Sequence, residues 1–138
     1  VVIYNDDMYV ANVGDSRCYI MRDEELKRIT IDHSVVEDLV RMNIISEEEA
    51  MTHPIRNHIT RAIGTDEMVI VDIFKKQIDA GNKILLTSDG LTGFVDDNTI
   101  KDTLLKDEDV NDLTKELINT ANDVSGRDNI SVILIEEK

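Results

Sequence analysis

The stretch Asn82-Lys83-Ile84-Leu85-Leu86-Thr87-Ser88-Asp89-Gly90-Leu91-Thr92-Gly93 constrains this chain more than any other. Ile84, Leu85 and Leu86 make an apolar run too short for a helix of its own. Bounded by Gly81 and Gly90, the run suits a buried strand. It ends in polarity, with Ser88 and Asp89 at the C-terminal end of the strand. Gly90 then lets the backbone turn sharply or approach a ligand closely. A carboxylate at the mouth of a buried strand is a candidate for catalysis or metal ligation, and it is equally a common start for a turn. The rest of the chain has to decide between these.

Upstream, Val1 to Tyr4 and Met8 to Val13 are rich in β-formers and are separated by the turn-forming Asn5-Asp6-Asp7. Gly14-Asp15-Ser16 interrupts before Arg17 to Arg22 resumes strand character, and Asp23-Glu24-Glu25 leads into Leu26 to Ile31. The reading is a meander of about four antiparallel strands with one face to be covered. After Asp32-His33-Ser34 the period changes. Val35, Val36, Leu39, Val40 and Met42 recur at helical spacing, and Ser34 with Glu37 has the form of a capping box. Ser46 with Glu49 repeats that form ahead of a second short helix, which Pro54, the only proline, stops. The segment 35–64 reads as a small helical insertion, a lid or flap. Strand character returns at Met68 to Phe74. Beyond the opening stretch, Asn98 to Leu105 and Val110 to Ala121 read as helices, the second with Leu113, Leu117, Ile118 and Ala121 on its apolar face. The loop Ser125-Gly126-Arg127-Asp128-Asn129 precedes a last strand, Ile130 to Ile135.

Charge narrows the functional classes. Twenty-nine acidic against fifteen basic residues give a formal charge of −14, which repels nucleic-acid phosphates and anionic lipid headgroups. Nucleic-acid binding and a membrane-surface role are therefore not expected. Most of the acid, including Asp96, Asp97, Asp102, Asp107, Glu108, Asp109, Asp112 and Glu116, falls in polar or helical stretches and reads as solvated surface. The single cysteine, Cys18, sits in an apolar segment and reads as a small core residue in a reducing compartment. With no window long enough to cross a bilayer, the expectation is a soluble, cytoplasmic protein of one core. Val1-Val2-Ile3-Tyr4 is already strand-like and has no initiator Met, so the chain reads as cut from something longer.

Three Asp residues share a context: Asp15, Asp89 and Asp128 each lie beside a glycine or one residue from it, at a strand end or turn. Short carboxylates at strand ends can converge from distant positions. Oxygen donors without a Cys or His cluster point to Mg²⁺ or Mn²⁺. Taken singly, each Asp could as well serve its turn. A calcium loop beginning at Asp107 fails, because its sixth position is Asp112 instead of Gly and its twelfth is Ile118 instead of Glu. A nucleophile-and-base arrangement finds no support: Cys18 lies mid-strand, and His33, His53 and His58 have no partner at readable spacing. His33 reads as a turn or structural histidine.

The ordered motifs resemble one family. Val10-Ala11-Asn12-Val13-Gly14-Asp15-Ser16-Arg17 and Asp32-His33-Ser34 come first. Glu48-Glu49-Ala50, His53-Pro54, Arg56-Asn57 and Ile59-Thr60-Arg61-Ala62-Ile63-Gly64 follow. Ile84 to Thr92 and Gly126-Arg127-Asp128-Asn129-Ile130-Ser131-Val132 complete the set. Their order and spacing are similar to the C-terminal part of a bacterial metal-dependent Ser/Thr protein phosphatase of type 2C, the PPM family. The resemblance implies an α+β fold, a sandwich of two antiparallel sheets flanked by helices, here lacking the N-terminal strands. Residues 1–138 would be the C-terminal portion of one catalytic domain, with the flap at about 35–64.

The same resemblance implies the site. Asp89 matches a ligand of the second core metal that also helps hold a third, Asp128 matches the second metal's other C-terminal ligand, and Asp15 matches a third-metal ligand. Ser88, Gly90, Asn129 and Ser16 would support the site, and Arg56, Asn57, Thr60 and Arg61 would serve the flap and substrate. The implied chemistry is hydrolysis of phospho-Ser and phospho-Thr proteins by hydroxide held between two Mn²⁺ or Mg²⁺ ions, opposing a Ser/Thr kinase, with no side-chain nucleophile. The family's phosphate-gripping Arg and its Asp-Gly-x-Gly-Gly motif have no counterpart in these 138 residues. The chain by itself is thus expected to be inactive or nearly so, with exposed apolar sheet surface open to self-association. A non-catalytic, type 2C-like module that binds partners is the alternative.

Overall fold

The structure, a computed structural model, describes residues 1–137. Among them run β1 (Val2–Tyr4), β2 (Asp7–Asn12), β3 (Arg17–Arg22), β4 (Glu25–Arg28), α1 (Val35–Arg41), α2 (Glu47–Thr52), β5 (Asp72–Gln77), β6 (Lys83–Thr87), α3 (Asp89–Thr92), α4 (Asp97–Leu104), α5 (Val110–Val124) and β7 (Val132–Glu136). The strands form two sheets, ordered β1-β2-β5 and β4-β3-β6-β7, with every pairing antiparallel.

Alternation along the strands explains how the layers stack, because successive side chains leave a strand on opposite faces. In β3, Cys18 and Ile20 point into a core shared with Met8 and Val10 of the other sheet. Tyr19 and Met21 point the other way, into a core completed by Leu91, Ile100, Leu104, Leu117 and Ala121 of the C-terminal helices. Strand β6 divides likewise, Ile84 to the first core and Leu85 to the second. A strand covered on both faces has no polar side to show, hence the unbroken Ile84-Leu85-Leu86 run.

The single four-strand meander does not form. Strands β2 and β3 belong to different sheets, and the chain crosses between them at residues 13–16. Gly14, at φ +110°, takes the backbone through a region that side chains disfavour. Each strand then pairs with a distant one, β2 with β5 and β3 with β6. The strand read at Met68 to Phe74 is displaced to Asp72–Gln77, because its partner β2 ends at Asn12, opposite Asp72. Val71 and Ile73, from the apolar half of the apparent alternation, are exposed, as are Met68 and Ile70. Gly90 makes no sharp turn and lies within α3.

The flap segment holds α1 and α2, and its two ends meet at a bridge between Ser34 and Ile59. Ser46 and Glu49 form the full capping box of α2. Ser34 caps α1 by accepting from the Glu37 N–H, but the Glu37 carboxylate turns instead to Arg28, at 2.9 Å. The outer face of the three-stranded sheet carries exposed Val2, Tyr4, Tyr9 and Ile73, the apolar sheet surface expected above. Lys75 stands over the Tyr9 ring and pairs with Asp7 there.

Candidate functional site

The site begins where β6 ends. Ser88 is the N-cap position of α3 yet makes no capping hydrogen bond with its side chain. Its hydroxyl donates to the Asn129 carbonyl (3.1 Å) and accepts from the Ser131 N–H (3.0 Å), while the Ser88 N–H donates to the Ser131 carbonyl (3.1 Å). Two residues on, Gly90 packs its backbone against the same segment: a Cβ there would stand 2.3 Å from the Asn129 carbonyl oxygen. The close approach for which Gly90 is suited is thus to the chain's own backbone. Asp89 and Asp128 are held at neighbouring positions by this stitching, although 39 residues separate them in sequence. The Asp128 carboxylate accepts from the Asn129 N–H at 2.7 Å.

Asp15 arrives on the loop that crosses between the sheets. Asp15, Asp89 and Asp128 line one cavity of about 580 Å³ together with Arg56 and Asn57 of the flap. Their proximity is felt electrostatically. The Asp89 carboxyl is raised above the usual carboxylate range, first by burial and then by the charges of Asp15 and Asp128, and hydrogen bonds from backbone N–H groups oppose the rise only in part. Like charges that burden one another in a cleft are chemically suited to a hard cation. Among the described residues, however, no three acidic, histidine or cysteine side chains are gathered closely enough to hold one.

Thr60 and Arg61 do not line this cavity with Arg56 and Asn57. They stand at the flap's exit, where the Thr60 N–H donates to the His33 carbonyl and Arg61 reaches Asp72. Ser16 is exposed on the crossing loop. His33 is a buried structural histidine, as read, but it is firmly oriented, by Gly14 on one side and Asp72 on the other.

Sequence reasoning gave no role to the ion network that floors the cleft. Arg17 grips Asp32 through Nε and Nη2 (2.7–3.0 Å) and donates through Nη1 to the Tyr19 hydroxyl, which donates in turn to Asp97 at the start of α4. Burial is the largest single influence on the Arg17 pKa and would depress it, yet the hydrogen bonds and charge interactions with Asp32 and Tyr19 together outweigh it and the guanidinium is held charged. A fifteen-residue spacing between Arg17 and Asp32 carries no signal, so only the motifs containing them pointed here.

Staphylococcus aureus Stp1, a serine/threonine phosphatase, superposes with a TM-score of 0.95 at 41% identity, over 99% of this chain and 54% of that one. A PstP catalytic domain crystallised with two manganese ions matches at 0.88 and 33% identity, over 98% of this chain and 55% of that one. The serine/threonine phosphatase stp of Listeria welshimeri is 38% identical over 135 residues, 98% of this chain and 54% of its own length. The protein phosphatase 2C family pattern matches residues 1–130, and the chain belongs to that family. It spans about half the length of the curated relatives it matches. Among the described residues no helix is long and apolar enough to cross a membrane.

Proposed function

We propose that these residues serve a metal-dependent protein serine/threonine phosphatase, contributing Asp15, Asp89 and Asp128 toward Mn²⁺ or Mg²⁺ and the flap toward the phosphoprotein. The observation that carries this reading is that the three carboxylates line one cavity with Arg56 and Asn57. Bound hard cations would acidify water and neutralise charge on the phosphoryl oxygens. The chain's own part is to set carboxylates from three segments along one cavity, with Asp89 under the influence of the charges of the other two. Arg56 supplies a cation from the flap wall, suited to a phosphorylated side chain entering the cleft.

The 138 residues alone turn over little or no substrate in this reading. They contain no Asp-Gly-x-Gly-Gly segment, so the carboxylate that bridges the two core ions in the family has no counterpart here. Assay of the purified chain with p-nitrophenyl phosphate and a phosphothreonine peptide, in Mn²⁺, tests this. No turnover above background is expected, and turnover abolished by Asp89→Asn would overturn it. Cation binding by the chain is a separate question, answered by calorimetry: weak Mn²⁺ binding should diminish in Asp89→Asn, and identical isotherms would count against Asp89 as a ligand.

A further inference from the structure

His33 sits at a junction that the phosphatase chemistry leaves unexplained. It is 5% exposed, and three segments meet on it, the crossing loop, the flap's exit and β5. Its N–H donates to the Gly14 carbonyl (3.0 Å) and its carbonyl accepts from Thr60 (2.7 Å), so its backbone already joins the crossing loop to the flap's exit. The ring repeats the connection. The Gly14 N–H donates to Nδ1 at 3.1 Å. A nitrogen that accepts carries no proton, so the neutral imidazole must hold its hydrogen on Nε2. From there it donates to Asp72 Oδ2, at 3.1 Å. Arg61 Nη1 also lies 3.1 Å from Nε2, but both groups are donors in this tautomer. What holds Arg61 is Asp72 Oδ1, at 2.9 Å. The ring therefore has one face of hydrogen bonding toward the crossing loop and one toward the flap and β5.

We propose that His33 is a positioning residue: with Asp72 and Arg61 it clamps the flap to the Gly14-Asp15 loop and so sets where the Asp15 carboxylate stands in the cleft. The use of Asp15 toward a cation rests on the function proposed above, whereas the clamp rests on the hydrogen bonds alone. The loop needs such a hold. Gly14, at φ +110°, has no side chain to pack, and a glycine so placed has more freedom to lose than any other residue. A flap whose exit is tied to the same ring through Asp72, and to the same residue's carbonyl through Thr60, cannot shift without pulling on the loop that carries Asp15.

Two variants separate the halves of the clamp. His33→Gln keeps an amide donor within reach of Asp72 but removes the acceptor beside Gly14. His33→Asn keeps an acceptor near Gly14 and loses the reach to Asp72. Backbone amide exchange of the 138-residue chain, followed residue by residue by NMR, reads each one. In His33→Gln, exchange at Gly14 should quicken by about tenfold, the order expected for one lost hydrogen bond. In His33→Asn and in Asp72→Asn, the quickening should fall at Thr60 and Val35.

Added Mn²⁺ gives the second readout, through paramagnetic broadening. In the unmodified chain the amides of Asp15, Asp89 and Asp128 should all broaden, and in His33→Gln the broadening at Asp15 should fall severalfold while Asp89 keeps its own. Unchanged Gly14 exchange in folded His33→Gln would overturn the proposal, as would exchange that quickens uniformly along the chain in every variant. Should His33→Gln not fold, Asp72→Asn decides: Asp15 broadened and Thr60 protected as in the unmodified chain would overturn it. If Mn²⁺ broadens nothing in the unmodified chain, the cation reading fails, and the clamp is judged on Gly14 and Thr60 exchange.

Discussion

Between Gly90 and Asn129 there is room for a hydrogen atom and nothing larger. An added methyl would lie 2.3 Å from a carbonyl oxygen of the backbone, which cannot rotate away as a side-chain tip could. Gly90→Ala should therefore cost about 2–3 kcal/mol by overpacking, read as a lower urea midpoint, and should move Asp89 away from Asp128. The neighbouring carboxylate behaves in the opposite sense. Because the folded state raises the Asp89 pKa, mainly by burial and then by Asp15 and Asp128, the folded chain binds this proton more readily than the unfolded one does. Stability from Asp89 is present below the ordinary Asp pKa and is lost as pH rises from there through the raised folded value. At neutral pH, without divalent cation, Asp89→Asn should raise the thermal midpoint, and the gain should vanish near pH 3. Equal shifts at both pH values would contradict this. Both effects were half legible beforehand. The Ser88-Asp89-Gly90 triplet was visible as a strand end beside a glycine, but the partner of Gly90 lies 39 residues downstream, and no local pattern announces it. His33 has no partner at readable spacing for the same reason, since Gly14 and Asp72 lie nineteen and thirty-nine residues away.

Elements with local causes were read well. Helix α2 starts where Ser46 and Glu49 exchange hydrogen bonds and ends before Pro54, all within nine residues. It buries no side chain, so its cap is a large part of what holds it. Ser46→Ala should cost that helix about 1 kcal/mol, seen as faster amide exchange confined to 47–52. The β3–β4 hairpin shows what propensity misses. Asp23 and Glu24 both take positive φ, 49° and 60°, as the tight turn between Arg22 and Glu25 demands. Glu24 bears a strain that glycine would not. Glu24→Gly should stabilise the chain by about 1 kcal/mol, with a higher urea midpoint and an unchanged slope. Strand β5 was misplaced because alternation from Val69 to Ile73 has the right period without a partner, and pairing, not periodicity, makes a strand.

For the molecule as a whole, two cores share one sheet. Tyr19 and Leu85 face the helices while Cys18 and Ile84 face the other sheet, so β3 and β6 carry both. The two-sheet arrangement with flanking helices was legible only through the family resemblance, because antiparallel partners such as β3 and β6 lie some sixty-five residues apart. Charge acts at this scale too. A chain of net charge −14 repels itself, and the repulsion is long-ranged at low salt. Raising monovalent salt from about 0.01 to 0.15 M, which shortens the screening length from roughly 30 to 8 Å, should raise the thermal midpoint. A fall would mean that the ion pairs around Arg17, Arg28 and Arg61 outweigh the general repulsion.

The bonds joining Ser88 to Asn129 and Ser131 are made by main-chain groups and one hydroxyl. A spacing set in that way rests on two side-chain identities, the hydroxyl at Ser88 and the missing Cβ at Gly90. The cleft walls of such a chain could be remade by substitution, changing what enters, with the distance between two of its acidic groups left as it is.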